Sequence, residues 1–309
     1  MDYQLQIENI RMADIRLYSV NGVRAEAKAP VDFKLEREIQ KLCEANLDIF
    51  FGVRFLASEY YTGIKHKGKI DSLGIDENNC PVIIEYKLDS KENVINQGLF
   101  YLDWLMDHQA NFEMLCMKKL GKKTDVDWTN PRLLCIAKDF TRYDDYAIGQ
   151  INRNIELVRY RYFEGHSIIF ELAGTSQKQE KYKAAGEGVT KYRNMDDAIN
   201  AASEDLIELY EALEDFITTL GDDVLKKELK YYHAYSRIKN FVCTEIRTKK
   251  KEILLYLKVD FQFVDISGVK IRDVSEIGHY GTGDTEVTIK TLTDLEKVKP
   301  LIEESYNMS

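Results

Sequence analysis

No apolar run in this 309-residue chain approaches the ~20 residues of a membrane-spanning helix, so no contact with a membrane interior is expected. The N-terminus lacks the basic, apolar, small-residue order of a secretory leader, and a cytoplasmic protein is expected. Cysteine is sparse. Cys43, Cys80, Cys116, Cys135 and Cys243 are odd in number and scattered, and no pair has zinc-ligand spacing. That argues for reduced, buried thiols rather than a disulfide framework. An excess of basic residues is also missing: the formal net charge is -9. The deficit is local, however. Asn194 to Leu225 holds ten acidic residues and no basic one, and without those ten, 42 acids face 43 bases. Phosphate binding elsewhere on the chain is therefore compatible with the total.

What is present centres on Gly68 to Gln97. The segment up to Asp71 alternates and suits a strand; Pro81 to Lys87, bounded by Asn78-Asn79-Cys80, reads as a second. Alternation puts Ile83, Glu85 and Lys87 on one face and Val82, Ile84 and Tyr86 on the other. A Glu and a Lys on a mostly buried strand are costly unless they pair or bind something. Asp71 is the natural third member. Two carboxylates can hold a hard cation such as Mg²⁺ and leave positions for water and phosphate. An ammonium beside them can orient the attacking water or stabilise a phosphoryl transition state.

The ordered set Asp71, Glu85-x-Lys87 and Gln97, on strand, turn, strand and helix, resembles the PD-(D/E)xK nuclease superfamily and, more narrowly, its NucS-like endonucleases. Ile70 stands where the superfamily usually has a Pro. The resemblance implies Asp71 and Glu85 as metal ligands, Lys87 as the catalytic lysine and Gln97 as a supporting polar residue. It also places a first acidic motif on the preceding helix, in a Leu-Glu-x-x-Ile-Gln setting. That points to Glu36, with Glu38 as the rival. The implied activity is Mg²⁺- or Mn²⁺-dependent hydrolysis of phosphodiester bonds, with DNA as the expected substrate and RNA left open. A non-catalytic nucleic-acid-binding or assembly protein that keeps the fold is the alternative.

The rest of the chain supplies context. Ile15 to Ala27 reads as a hairpin with a type I′ turn at Asn21-Gly22. Leu35 to Phe50 is an amphipathic helix, Val53 to Tyr61 the first core strand and Asn93 to His108 the second core helix. Glu59 reads as a structural charge rather than an accessory ligand. Lys65, Lys67 and Lys69 alternate with Asp71 along one strand face, a track for a phosphate backbone or the guarded edge of a sheet. Arg132 to Ala137 is a strand, Asp144 to Tyr160 a helix and Phe163 to Leu172 a strand. This order predicts an α/β protein with a mixed sheet flanked by helices over residues 1–175, and the resemblance implies that the sheet is restriction-endonuclease-like. A linker, a helical connector and a small α+β domain occupy 176–309, and this second part resembles an uncharacterised C-terminal domain found behind NucS-like nucleases. Ile199, Ala202, Leu206, Leu209, Leu213, Phe216 and Leu220 form a heptad seam, favoured here as a homodimer contact through the 199–220 helix. Within one chain, Leu225, Leu229 and Tyr232 would be its partner. Gly281-x-Gly283 reads as a turn.

Overall fold

The computed structural model describes residues 15–88, 94–176, 194–279 and 281–309, without the side chains of Lys65 and Phe263. The chain opens with a hairpin of β1 (Leu17–Asn21) and β2 (Arg24–Lys28), then β3 (Pro30–Val31), α1 (Glu36–Glu44), α2 (Leu47–Phe51) and β4 (Val53–Tyr61). Next come α3 (Gly63–His66), β5 (Lys69–Asp76), β6 (Pro81–Lys87), α4 (Val94–Asp107) and α5 (Gln109–Leu120). The first half closes with β7 (Arg132–Ala137), α6 (Arg142–Ile148), β8 (Asn154–Phe163) and β9 (Ser167–Ser176). The second half contains α7 (Met195–Asn200), α8 (Glu204–Thr218), β10 (Leu225–Glu228), β11 (His233–Ser236), β12 (Asn240–Arg247) and β13 (Glu252–Leu257). It ends with β14 (Lys270–Asp273), β15 (Thr285–Ile289) and α9 (Leu292–Asn307). No helix among the described residues is long and apolar enough to cross a membrane.

The protein is mixed α/β. Its first sheet runs β3-β8-β7-β6-β5-β4, with β9 added on β8. β6, β7 and β8 are parallel; β4, β5 and β6 are antiparallel. β6 and β7 are central, and their near-continuous apolar runs fit strands buried on both faces. Val82, Ile84 and Tyr86 pack with Ile39, Cys43, Leu47 and Phe51 of α1 and α2. Ile83 packs with Val94, Ile95, Leu102 and Leu105 of α4 on the other side. The alternation expected along β6 is therefore present, and all five cysteines are free and buried.

The second sheet runs β10-β11-β12-β13-β15-β14. One of its faces carries α7, α8 and α9 over Val242, Leu255 and Val287. The two halves meet at the tight β5–β6 connection. Asp76 Oδ1 accepts the amides of Asn78 and Cys80 at 2.8 and 2.9 Å, which folds the chain back. The tip of that turn enters the second sheet: Glu77 meets Lys258 Nζ at 2.6 Å, and Asn78 Oδ1 accepts from Asn240 Nδ2 at 2.7 Å and Tyr232 Oη at 3.0 Å. Cys80 completes an apolar cluster with Leu229, Tyr232, Cys243 and Tyr256. Beneath the turn, Arg132 is buried between Asp76 (3.1 Å) and Glu156 (2.7 Å). Removing one member of such a triad costs about 3–5 kcal/mol, because a buried charge is left unpaired. The hairpin that carries Asp71 and Glu85 is thus held at its turn by the second half.

Several expectations are corrected. The β1–β2 loop is Gly22-Val23, one residue later than expected, and only Gly22 has positive φ (60°), the pattern of a II′ rather than a I′ turn. The first amphipathic helix breaks at Ala45-Asn46 into α1 and α2. Asp144 to Tyr160 is a short helix and then a strand. Thr141 and Asp144 cap α6 reciprocally, and it ends at Ile148. Ile155 and Val158, spaced as on a helix, lie on opposite faces of β8. Glu164-Gly165-His166 is the turn of the β8–β9 hairpin. Beyond Ser176, the expected linker up to Arg193 lies outside the described residues.

The heptad seam is also interrupted, between Asn200 and Glu204. Leu206, Leu209 and Leu213 are buried against Leu295, Val298 and Ile302 of α9 and the second sheet. The surface proposed for a homodimer through 199–220 is therefore covered within the chain. Leu229 and Tyr232, expected as its partner, instead pack on Cys80. Gly281 and Gly283 both have positive φ, and a Cβ on Gly283 would stand 2.6 Å from the Leu257 backbone, so this Gly-x-Gly is a packed turn.

Candidate active site

Beyond Ser72 and Ile84 the β5–β6 ladder stops, and two carboxylates take over its hydrogen bonds. Glu85 Oε1 accepts the Asp71 amide at 3.2 Å, and Asp71 Oδ2 accepts the Tyr86 amide at 3.1 Å. A cleft of about 370 Å³ lies here. It is lined by Glu36, Arg37 and Gln40 of α1, Glu59 of β4, Lys69 and Asp71 of β5, and Tyr86 of β6. Glu85 is fully buried, and its Oε2 has no hydrogen-bond partner.

Burial pushes the Glu85 carboxyl up to about 9, and the neighbouring Asp71 charge adds to the shift. Asp71 rises to about 6, again chiefly through burial. The Tyr86 amide and Lys87 pull it down, while Glu59 and Glu36 push it up. At neutral pH the pair of neighbouring carboxyls keeps one proton, as close carboxylates do. Lys87 follows on β6 with a nearly buried side chain, and its Nζ is 3.2 Å from Glu36 Oε2.

The structure brings Glu36, Asp71, Glu85 and Lys87 together. The two rival helix carboxylates separate clearly: Glu38 accepts the amides of Lys34 and Leu35 at 2.7 and 3.1 Å and caps its own helix, whereas Glu36 faces the cleft. Gln97 sits half-buried in the first turn of α4 and does not line the cleft. Of the expected lysine track, Lys69 alone among the described side chains reaches the cleft. Gly63–His66 is a helical turn and Lys67 is left-handed (φ 51°), so these residues do not alternate along a strand. The side chain of Lys65 lies outside the described residues. Glu59 stands opposite Asp71 at an irregular, left-handed position (φ 50°) and contacts Lys69 at 3.6 Å.

Two wall residues were given no role from sequence. Gln40 is buried and donates from Nε2 to the Asp71 carbonyl at 2.8 Å and to Glu44 at 3.0 Å, so it fixes the backbone that carries Asp71. Its spacing of four from Glu36 was a usable signal, since i and i+4 share a helix face. Arg37 gave no such signal.

Among the described residues no group of three or more His, Cys, Asp and Glu is arranged to hold a metal. The Asp71–Glu85 pair still fits a hard divalent cation. It is all oxygen, it retains a proton that a cation would replace, and it leaves one buried carboxylate oxygen unpartnered. One or two carboxylates, with water and phosphate oxygens, are the usual share for Mg²⁺.

Residues 195–309 match a family described as a domain of unknown function, DUF5655. An uncharacterised protein of Haemophilus influenzae is 28% identical over 288 residues, covering 88% of this chain and 93% of its own length. No solved structure matches the chain.

Proposed function

We propose that the cleft hydrolyses phosphodiester bonds, with DNA as substrate and Mg²⁺ or Mn²⁺ held by Asp71 and Glu85. The observation that carries this reading is the buried, unpartnered Glu85 Oε2 beside a cleft-facing Asp71, with the Lys87 ammonium on the same strand. A bound divalent cation supplies an acidified water and neutralises phosphoryl charge. The chain's own residues do the rest. Gln40 and the Tyr86 amide hold Asp71 in place. Glu36 holds the Lys87 ammonium at the cleft side of β6, where it can stabilise negative charge that develops on a phosphoryl group. Restriction-endonuclease-like architecture for residues 1–175 belongs to the same proposal.

A non-catalytic protein is the second reading, and one observation favours it. The two carboxylates already replace ladder hydrogen bonds, which is a structural job in itself. A panel of defined DNA and RNA substrates with Mg²⁺ or Mn²⁺ separates the two. Cleavage by wild type and none by folded Glu85→Gln supports hydrolysis; no cleavage of any substrate by wild type rejects it.

A further inference from the structure

We infer that Arg37 and Lys69 grip the phosphates on either side of the scissile one, so that a substrate strand crosses the cleft from α1 towards β5. This rests on the phosphodiesterase reading above and adds a substrate path to it. Arg37 lies in the first turn of α1, is exposed, and makes no ion pair or hydrogen bond with another described side chain. The other α1 residues that line the cleft are engaged, Glu36 with Lys87 and Gln40 with the Asp71 carbonyl, and Glu38 caps the helix N-terminus. Among the described residues, Arg37 thus has no side-chain partner.

Lys69 lines the same cleft from β5. Its contact with Glu59 spans 3.6 Å with both side chains about half exposed. Such a pair contributes at most about 1 kcal/mol and can be exchanged for a phosphate. Asp71 lines the same cleft as both cations, so a phosphate held at Asp71 shares that cleft with one cation from α1 and one from β5. The two cations differ in kind. The Arg37 guanidinium presents a planar fork suited to two phosphate oxygens, while Lys69 acts as a point charge. Three consecutive phosphates are therefore engaged, and a dinucleotide is too short to be a good substrate.

The test uses the full chain carrying Glu85→Gln, so that binding is read without cleavage, and the same protein with Arg37→Ala added. Fluorescent oligodeoxynucleotides are titrated over a range of salt, intact or with single uncharged methylphosphonate linkages. Losing one phosphate contact should flatten the salt dependence by about 0.7–0.9 in slope, which at 0.1 M salt is roughly a five- to eightfold weaker affinity. One methylphosphonate position should cost the Glu85→Gln protein that same factor and cost the double variant nothing. Arg37→Lys should keep the slope and lose part of the affinity. Unchanged affinity and slope in the Arg37→Ala protein would overturn the inference, as would absence of oligonucleotide binding by its parent. Cleavage by wild type alongside such an unchanged Arg37→Ala protein leaves hydrolysis standing and removes the path. The expected loss without cleavage under any cation does the reverse.

Discussion

Glu85→Gln should remove most of a pH dependence built into the fold. In the folded chain the Glu85 carboxyl titrates at about 9 against an ordinary 4.5, and Asp71 at about 6 against 3.8. Both are raised, so between the unfolded and folded values the folded state holds more protons. Stability is then full below about pH 4 and falls as pH rises towards 9. One retained proton corresponds to about 1.4 kcal/mol per pH unit, so the move from pH 6.5 to 8 should cost wild type about 2 kcal/mol. The amide that this substitution introduces cannot ionise, and it relieves Asp71 of a neighbouring charge, so the variant should lose little over the same interval. Urea unfolding of both proteins at the two pH values gives the difference, in which the buried cysteines and other shared groups cancel. A cation that replaces the proton should restore wild type at pH 8, by about 2.7 kcal/mol at a hundred times its Kd, and leave the variant unmoved. Parallel curves for the two proteins, with or without Mn²⁺, would refute the assignment of Glu85 and Asp71 as a proton- or cation-sharing pair.

Two other predictions concern single side chains. Lys87→Ala should abolish cleavage while Mn²⁺ binding, followed by titration calorimetry, is kept or strengthened, because a competing charge has gone; Lys87→Arg should not rescue fully, since a planar guanidinium does not replace a compact ammonium. Full activity in Lys87→Ala removes it from the mechanism. His233 is buried beside Tyr210, and burial, then Lys226, depress it to about 3 from 6.5. Its contribution to stability is present above pH 6.5 and lost as pH falls towards 3, so wild type should lose about 2–3 kcal/mol more than His233→Gln between pH 6.5 and 4.5; equal losses in urea titrations would contradict it.

The strand residues at the centre were legible because alternation is a local property. Val53 to Tyr61, Pro81 to Lys87 and Arg132 to Ala137 form strands with the expected bounds, and the faces of β6 follow from side-chain period alone. The helix expected over 144–160 failed for the converse reason. Ile148, Ile151, Ile155 and Val158 fit a 3.6 period, but β8 is buried on both faces, and a doubly buried strand carries apolar residues at every offset. The seam at 199–220 shows a different limit. An apolar stripe states that a surface must be covered and does not name the cover; α9, some eighty residues later, supplies it.

The candidate site divides along the same line. Sequence by itself determined that Asp71, Glu85 and Lys87 are present on adjacent strands with Glu85 and Lys87 on one face, since spacing and alternation settle that much. Tertiary structure decided which of Glu36 and Glu38 turns to the cleft, because that depends on where α1 ends and which amides its first turn leaves unpaired. It decided that Gln40 holds the Asp71 carbonyl and that Arg37 and Lys69 line one cleft, a meeting of chain segments some thirty residues apart that no local period encodes. It also decided that the β5–β6 turn plugs into the second sheet, because burial of Cys80 and Asn78 requires a surface from more than 150 residues downstream.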